Sequence, residues 1–481
     1  MRKPTRAHAL RTLGAAVAVS ATVALAGCSG AQQGATELDP EADVTLTWWT
    51  GQADDAQTIL EGLAAEFEEE HPNVTIDVSP GASSTEDLLQ KLSASFAGGN
   101  YPDISYSFGS WASQLESSNR TLDITEQVAE PDVAWDEFSE AARQTVQPTG
   151  EKTIGFPAVV DNLSLIYNKT VFDAAGVDHP TEDWTWDDFR EAAADLTDPA
   201  TETYGYAYSV SGSEETTWQF WPHLWQEGGS ILSEDGTEAT FNDEAGVRAL
   251  TFLQEMAVDD KSIYLDQTDT KFGQLFAADR IGMMTSGPWQ LFDLNTAGTE
   301  YGVVQLPGRD GDHQTVSGPD IWALFDHRDA NRSYWAYEFT KWLTSAEQDE
   351  RWNVEYGNLP LRTSEIESEA FQEQVDALPG LDVMAENAAN AKQARPTVAG
   401  YVGLSEAIAN AISAVLQGQG DPPSALDEAA VHQRTGTRFH SSYLAPRLRW
   451  LRETEPGAFR QARRWMSLGE YVYLRLAGVT A

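Results

Sequence analysis

The sequence predicts an α/β fold in which mainly parallel β-sheets are flanked by helices. Residues 44–49 and 74–78 are rich in β-branched and aromatic side chains, as strands are, and 102–106 opens a third strand. Between them lie two stretches that begin near Asp54 and Thr85, each with apolar residues three and four apart, the spacing of one helix face. This strand–helix–strand–helix–strand order predicts parallel strands with right-handed crossovers, because each helix returns the chain to the same end of the sheet.

The same alternation continues through most of the chain. Further strands are predicted at 152–156, 163–167, 203–210, 281–284 and 301–305. Helices are predicted after the capping residue Thr185 and at 216–228, 243–258, 269–279, 335–343, 365–376 and 402–416. A chain of 481 residues is long enough for two or three domains.

The first residues predict an export signal and a lipid anchor. A basic start is followed by an apolar run at 13–26 that is too short to remain in a bilayer as a span, so we expect residues 1–27 to be a signal peptide. The run ends in Leu25-Ala26-Gly27-Cys28, which resembles the lipobox of bacterial lipoproteins, where the cysteine carries diacylglycerol and becomes the first mature residue. We expect Cys28 to be lipidated, and 28–43 to be a flexible tether on the extracytoplasmic face of the cell membrane.

Charge divides the chain into an acidic body and a basic end. The net charge is −44, yet residues 1–27 hold four Lys/Arg without an acidic residue, and residues 431–481 hold nine Arg against three acidic residues. A strongly acidic surface repels polyanions, so we expect no nucleic-acid partner. The acidity also suits a secreted protein without any specific role. Cys28 is the only cysteine, which excludes an intrachain disulfide.

Several motifs occur in an order that resembles one known family. They are Trp48-Trp49-Thr50, Gly98-Gly99-Asn100-Tyr101-Pro102-Asp103, Asp161-Asn162-Leu163-Ser164-Leu165-Ile166-Tyr167-Asn168-Lys169, Trp184-Thr185-Trp186, Gly287-Pro288-Trp289 and Gly357-Asn358-Leu359-Pro360. Together they resemble the extracellular solute-binding proteins of ABC importers, in the maltose and multiple-sugar branch, and the likeness covers residues 44–430.

The resemblance implies a periplasmic-binding-protein-like fold of two lobes joined by hinge crossovers. We expect lobe one at 44–149 plus 289–342 and lobe two at 150–288 plus 343–430. In this family a ligand binds in the cleft, the lobes close on it by a hinge motion, and the transporter recognises the closed form. The resemblance thus implies a monomeric receptor for a sugar or oligosaccharide that works with ABC permease subunits, without cofactor, metal or enzymatic activity.

A sugar site needs aromatic faces for C–H surfaces and polar groups for hydroxyls, and the chain has 16 Trp. Position at strand ends and in the family motifs selects the candidate ligand contacts. They are Trp49, Thr50, Gln52, Asp103, Trp111, Asp161, Asn162, Trp218, Trp289, Gly318, Asp320, Trp322, Asn358 and Arg362. Alternatives stay open for three of them: a backbone-holding role for Asp103, packing on lobe two for Trp218, and plain solvation for Arg362.

Two other functions compete with the sugar receptor. A secreted glycoside hydrolase is also rich in Trp and acidic residues, and Asp161 and Asp320 could be its two carboxylates. The sequence nevertheless lacks GxSxG, HExxH, P-loop and GxGxxG motifs. A receptor for a glycerol-phosphate-type ligand is the second alternative. The scarcity of Lys and Arg near the expected cleft loops argues against an anion, although Arg362 leaves that alternative open.

The basic end differs from the rest of the chain. Residues 431–481 include Thr435-Gly436-Thr437-Arg438-Phe439-His440 and Arg464-Trp465-Met466-Ser467-Leu468-Gly469, which resemble an internal piece of a gluconate/xylulose-type sugar kinase. The piece is far too short to be a kinase. We interpret it as a foreign tail joined to the binding protein; the alternative is a basic extension that docks on the acidic body or the membrane.

Overall fold

The computed structural model describes residues 35–435, except 83–84, 234–235, 355–357, 394 and 399. The predicted signal peptide, the predicted lipidation site Cys28 and the tail from residue 436 onward lie outside these residues. Within the described ranges, no helix is long and apolar enough to cross a membrane.

Among the described residues, ten strands and sixteen α-helices alternate along the chain. The strands are β1 Val44–Trp49, β2 Val74–Ser79, β3 Ile104–Ser107, β4 Gly155–Val159, β5 Ser164–Asn168, β6 Tyr204–Ser209, β7 Ile263–Asp266, β8 Ile281–Ser286, β9 Tyr301–Val304 and β10 Asp320–Leu324. The helices are α1 Asp54–Glu70, α2 Thr85–Gly98, α3 Ala112–Ser117, α4 Glu140–Thr145, α5 Lys169–Ala175, α6 Trp186–Asp195, α7 Glu214–Gln226, α8 Glu244–Gln254, α9 Phe272–Ala277, α10 Trp289–Thr296, α11 Ala330–Leu343, α12 Ala346–Asp349, α13 Glu369–Ala377, α14 Leu381–Asn387, α15 Tyr401–Leu416 and α16 Pro422–Thr435.

Local sequence explains where several helices begin and end. Thr185 caps α6 as predicted: its hydroxyl accepts a hydrogen bond from the Asp188 amide, and the Asp188 carboxylate accepts one from the Thr185 amide. Asn168 caps α5 through its side-chain oxygen, and α5 ends at Gly176, whose φ of 73° lies in the left-handed region that glycine adopts without strain.

Each lobe has one five-stranded sheet in which a single strand runs against the other four. Sheet one has the order β2-β1-β3-β10-β4, and β10 is antiparallel to both neighbours. Sheet two has the order β7-β6-β8-β5-β9, and β5 is antiparallel to both neighbours. Strands β10 and β5 are the first to enter each sheet after the chain crosses from the other lobe, which accounts for their opposite direction. The predicted two-lobe α/β fold is confirmed.

The crossovers lie elsewhere than predicted. Strand β4 belongs to sheet one and β9 to sheet two, so 155–159 belongs with lobe one and 289–304 with lobe two. The core of lobe one also includes Leu361, well beyond the predicted end at 342. The two crossover strands after β4 and before β10 pair at Asn162 and Ser317. In a fully buried strand such as β4, apolar and polar residues do not alternate, so the sequence does not indicate which sheet the strand joins. This explains why the predicted lobe boundaries are shifted.

The segment 318–324 also differs from expectation. Its residues Gly318, Asp320 and Trp322 were all predicted as ligand contacts, but Asp320 is the first residue of β10 and the strand continues through the lobe-one core. This places Asp320 at the boundary between core and cleft, whereas Trp322 lies inside the core.

Candidate functional site

Arg395 makes a charged contact between the lobes. One guanidinium nitrogen lies 2.9 Å from Oε1 of Glu214, at the start of α7 in lobe two. The other lies 3.9 Å from Oδ1 of Asp320 in lobe one. The guanidinium also covers the ring of Trp218, with Cζ 4.3 Å from the ring centroid. Because its side chain is only 8 % exposed, Arg395 joins the lobes in an environment from which most water is excluded.

Asp320 is held in place by two hydrogen-bond donors of lobe one. The Tyr106 hydroxyl donates a 2.5 Å hydrogen bond to Oδ2, and the Gly109 amide donates a 3.0 Å bond to Oδ1. Burial raises the pKa of Asp320 to about 6, and Arg395, Tyr106 and Gly109 oppose that rise by stabilising the charged form. The carboxylate is therefore positioned by one strand and one turn and is close to protonation at mildly acidic pH.

Asp161 adds a second buried carboxyl from the hinge. It follows β4 in the first crossover strand and accepts a 3.2 Å hydrogen bond from the Gly318 amide of the neighbouring crossover strand. Burial raises the pKa of Asp161 well above its usual range, and the nearby charge of Asp320 raises it further. Asp161 therefore keeps its proton to a higher pH than an ordinary aspartate does.

Lobe two holds Glu214 through a chain of hydrogen bonds. The Tyr401 hydroxyl, at the start of α15, donates to Oε1 of Glu214 at 3.0 Å, and the Trp221 indole donates to that hydroxyl at 3.0 Å. The Tyr401 and Trp221 side chains are fully buried. Fixed packing behind Glu214 keeps its carboxylate at the lobe boundary.

Gly318 allows the two sides to come together. A methyl group in place of its hydrogen would overlap both the guanidinium of Arg395 and the ring of Trp218. The glycine is therefore required for close approach rather than for an unusual backbone conformation. We call Tyr106, Asp161, Glu214, Trp218, Asp320 and Arg395 the interlobe cluster.

The interlobe cluster has the chemistry of a site for hydroxyl-bearing molecules. It combines an aromatic ring face with three carboxyl groups, a phenol and one guanidinium, and these groups can accept and donate hydrogen bonds in several directions. The carboxyls outnumber the single cation. The cluster is therefore poorly suited to a ligand that carries net negative charge.

Four predicted site residues belong to this region: Asp161, Trp218, Gly318 and Asp320. A fifth, Trp111, lies beside it on the 3-10 turn Gly109–Trp111, whose first residue binds Asp320 and which packs against α15 of lobe two. Its ring is buried and lies 4.6 Å from that of Phe108. Trp111 thus supports the loop that holds Asp320.

Three other predicted residues lie at the end of β1 or just after it and make their contacts within lobe one. The Trp49 ring is nearly buried and is covered by the Lys91 ammonium at 4.1 Å from its centroid. The Thr50 hydroxyl donates to Gln57 and also accepts from the Gln52 amide at 3.3 Å. Gln52 is half-buried. No contact among the described residues joins this group to Arg395.

Asp103 and Trp322 have structural positions rather than cleft positions. The Asp103 carboxylate binds Arg332 of α11 through two hydrogen bonds of 2.8 and 2.6 Å and accepts one from the Thr47 amide at 2.8 Å. Asp103 therefore links α11 to β1 and to the start of β3, which is more than holding the backbone of its own turn. Trp322 is fully buried, and its ring packs edge-on against Trp48 at 5.2 Å.

Asn162 and Asn358 lie in the hinge. The Asn162 side chain donates to the carbonyl of Met384 at 2.8 Å and accepts from Asn387 at 3.3 Å, so it fastens the first crossover to α14. Asn358 is almost fully buried, and its amide donates to the Asn353 carbonyl. Both residues support the crossovers and lie outside the interlobe cluster.

Arg362 and Trp289 are also placed differently from expectation. Arg362 is buried in lobe one, where it donates to the carbonyls of Thr344 and Val133 and lies over the Phe138 ring at 4.3 Å. It is therefore neither solvated nor in the cleft. Trp289, predicted as a ligand contact, is the first residue of α10 and packs half-buried against the core of lobe two.

A cavity of about 420 Å³ lies on lobe one, away from the interlobe cluster. Its walls come from the end of α1, the segment 132–137 and α11. Charged groups in the wall already bind one another: Lys341 pairs with Asp132, and Arg362 lies 3.7 Å from Glu137. The cavity therefore offers few unsatisfied groups to a ligand.

Sequence patterns did not indicate four functional candidates, namely Tyr106, Glu214, Arg395 and Tyr401. Tyr106 and Glu214 look like ordinary strand and helix-start residues. Arg395 lies between α14 and α15 without helical or strand periodicity around it. These side chains come close together only where the two lobes meet.

Comparison with known proteins now adds the family. A family model described as "Bacterial extracellular solute-binding protein" matches residues 62–379, which is more than half of the chain. The chain belongs to this family. This solute-binding protein is 25 % identical over 388 residues to a binding protein of Brucella abortus, covering 77 % of this chain and 88 % of that one.

Two further relatives differ in the ligand that their names give. A sn-glycerol-3-phosphate-binding periplasmic protein of Yersinia enterocolitica is 25 % identical over 358 residues, covering 70 % of this solute-binding protein and 79 % of the relative. The crystal structure of a cyclic α-maltosyl-1,6-maltose binding protein from Arthrobacter globiformis is 27 % identical with a TM-score of 0.68, covering 82 % and 99 % of the two chains.

Proposed function

We propose that this solute-binding protein captures a sugar or oligosaccharide between its lobes and delivers it to the permease of an ABC importer. The observation that carries the proposal is the interlobe cluster, where the face of Trp218 lies next to the carboxyl groups of Asp320 and Glu214. An aromatic face suits the C–H surface of a pyranose, and carboxyl groups suit its hydroxyls. The similarity to the maltosyl-maltose binding protein supports the same class of ligand.

A glycerol-phosphate ligand is the main alternative within the same family. Relatives of that specificity are about as similar in sequence as the sugar binders, so identity alone does not separate the two. Charge favours the sugar. A phosphate in the interlobe cluster would meet the carboxylates of Asp320 and Glu214, and the single cation, Arg395, already lies against both.

A glycoside hydrolase on this fold is a weaker alternative. Its two carboxyl groups would be Asp161 and Asp320, but each already accepts a backbone amide hydrogen bond, and Asp320 also accepts from the Tyr106 hydroxyl. These bonds hold the carboxyl groups as fixed hydrogen-bonding partners. We therefore propose binding without chemical change of the sugar.

We propose that the half-buried side chains of Gln52 and Trp289 make additional ligand contacts at the rim of the site and set the length of saccharide that fits. We also propose that Cys28 carries the lipid that tethers a monomeric receptor to the outer face of the cell membrane. A short apolar run ending at Cys28 is the basis for that proposal.

Calorimetric titration with mono- and oligosaccharides and with sn-glycerol 3-phosphate tests the function. We expect saturable heat with at least one neutral saccharide and none with glycerol phosphate, and chromatography of the recovered sugar should find it unchanged. Binding of glycerol phosphate alone would reverse the assignment. Appearance of hydrolysis products would support the enzyme instead.

A further inference from the structure

Arg395 occupies the groups that a sugar would use. Its guanidinium covers a face of Trp218 and lies 2.9 Å from Glu214, and its second nitrogen faces Asp320 at 3.9 Å. An aromatic face and two carboxylates are what a pyranose ring needs. A planar guanidinium stacks on aromatic rings and binds carboxylates, so it satisfies the same partners as a saccharide does.

The surroundings of Arg395 make this a stable arrangement between the lobes. Glu214 and the Tyr401 hydroxyl approach from lobe two, and Asp320 with its partner Tyr106 approaches from lobe one. Gly318 of the crossover strand leaves room for the guanidinium. Because carboxylates on both lobes face one cation, separation of the lobes would leave Glu214 or Asp320 without that cation.

We propose that Arg395 is an internal competitor of the sugar: it holds the lobes together when no sugar is bound, and the sugar must displace it. The displacement of Arg395 by sugar rests on the proposed function. The claim that Arg395 holds the lobes together does not, because it concerns the ligand-free protein alone. Displacement leaves Glu214, Asp320 and the face of Trp218 free for hydroxyls and C–H groups. Arg395 thereby sets the affinity and disfavours weak ligands that cannot replace its contacts.

The competition has a quantitative consequence. A binding-competent form that is only partly populated weakens the apparent affinity by its fractional population. Removal of the competing guanidinium therefore strengthens sugar binding, whereas removal of an ordinary ligand contact weakens it. The direction of the change separates the two roles.

The first experiment needs no ligand. Small-angle X-ray scattering compares the ligand-free wild type with Arg395→Gln and with Lys392→Gln, a nearby cation that pairs with Asp312 on the surface. We expect a larger radius of gyration only for Arg395→Gln. An unchanged radius in that variant would overturn the proposal.

Gly318→Ala provides an independent route, because its methyl group overlaps the guanidinium of Arg395 without removing its charge. We expect Gly318→Ala to enlarge the ligand-free protein in the same way. A compact Gly318→Ala protein whose scattering matches the wild type would contradict the proposal, even if Arg395→Gln could not be purified in folded form.

Calorimetry with the saccharide bound by the wild type is the second experiment. We expect Arg395→Gln to bind it about tenfold more tightly, while Lys392→Gln keeps the wild-type dissociation constant. Weaker or equal binding by Arg395→Gln would overturn the proposal. If no saccharide binds any of the proteins while Arg395→Gln still expands in solution, the proposed sugar specificity fails and the interlobe role of Arg395 stands.

Discussion

The hydroxyl of Tyr106 donates a 2.5 Å hydrogen bond to the buried carboxyl of Asp320, 214 residues away in sequence. Both residues lie on adjacent antiparallel strands of sheet one, where β10 enters beside β3. The bond fixes the carboxyl at the lobe boundary with one oxygen facing the Gly109 amide and Arg395. Lobe one thus presents a charged group whose orientation is set before any solute arrives.

Tyr106→Phe tests this orientation. Loss of a hydrogen bond to a charged, buried group is expected to lower the free energy of unfolding by about 1.5–3 kcal/mol, because Asp320 loses one of its donors. The change should also raise the pKa of Asp320 further and weaken saccharide binding. Urea unfolding and calorimetry measure the two effects. Tyr334→Phe, a half-buried tyrosine on α11, is the matched control and should change neither.

Asp320 predicts a pH dependence of stability. Its pKa is about 6 in the folded protein and about 4 in an unfolded chain, so the folded state binds the proton more tightly. This group's contribution to stability is therefore fully present below about pH 4 and is lost as the pH rises to about 6, by about 2–3 kcal/mol in total. Above pH 6 no further change is expected from it.

Asp320→Asn removes that titration. Urea unfolding at pH 4, 5, 6 and 7 measures the free energy of unfolding of both proteins. We expect the value for the wild type to fall relative to that of the variant as the pH rises. The difference between the two proteins carries the result, since other carboxyl groups titrate in both. A constant difference at all four pH values would show that Asp320 keeps an ordinary pKa.

The local sequence pattern was sufficient to predict the roles of some residues and insufficient for others. The capping of α6 by Thr185 was predictable because both of its partners lie within four residues. Asp161 and Asp320 were found because they lie next to strand ends, where such folds bind ligands. Arg395 was not, since its partners Glu214 and Asp320 are far from it in sequence and belong to different lobes.

Trp322 illustrates the opposite error. It was predicted as a ligand contact, but β10 is inserted between β3 and β4 and carries the ring into the core. The place of β10 in sheet one depends on where the chain crosses between the lobes. The spacing of apolar residues in the sequence does not indicate those crossovers. The same limitation moved the lobe boundaries, because β4 and β9 are short apolar strands that could join either sheet.

Trp218 and Trp322 should respond differently to truncation. Trp322→Ala removes a fully buried ring from lobe one and is expected to cost about 3–5 kcal/mol of stability. Trp218→Ala removes the ring face of the interlobe cluster and should weaken saccharide binding by about tenfold or more, as for other aromatic residues at the centre of a binding site. Thermal unfolding and calorimetry on both variants give the comparison. A larger loss of affinity for Trp322→Ala would contradict the placement.

Asp103 should behave as a structural residue. Asp103→Asn breaks a buried charge pair with Arg332 and leaves the guanidinium without its carboxylate, so stability should fall by about 3 kcal/mol. The saccharide dissociation constant should stay at the wild-type value, because these contacts lie between α11 and the sheet. Asp132→Asn, at an exposed pair with Lys341, is the control and should change the unfolding midpoint little. A loss of affinity with unchanged stability would return Asp103 to the ligand site.

Glu365 predicts a loss of stability at alkaline pH. It lies buried near Asp349, whose carboxylate accepts a 2.8 Å hydrogen bond from the Leu361 amide. Burial, together with hydrogen bonding to the Asp349 carboxyl and its charge, raises the pKa of Glu365 to about 10. Glu365 is therefore protonated in the folded protein at neutral pH.

The sign of the effect follows from the raised pKa. The unfolded chain releases the Glu365 proton near pH 4, whereas the folded protein keeps it until about pH 10, so stability falls with rising pH between these values, by up to about 1.4 kcal/mol per pH unit. Glu365→Gln keeps a hydrogen-bond donor for Asp349 without a titrating proton. Urea unfolding at pH 5, 7 and 9 should therefore find the variant gaining stability relative to the wild type at each step. Parallel pH profiles would mean that Glu365 is ionised in the folded protein.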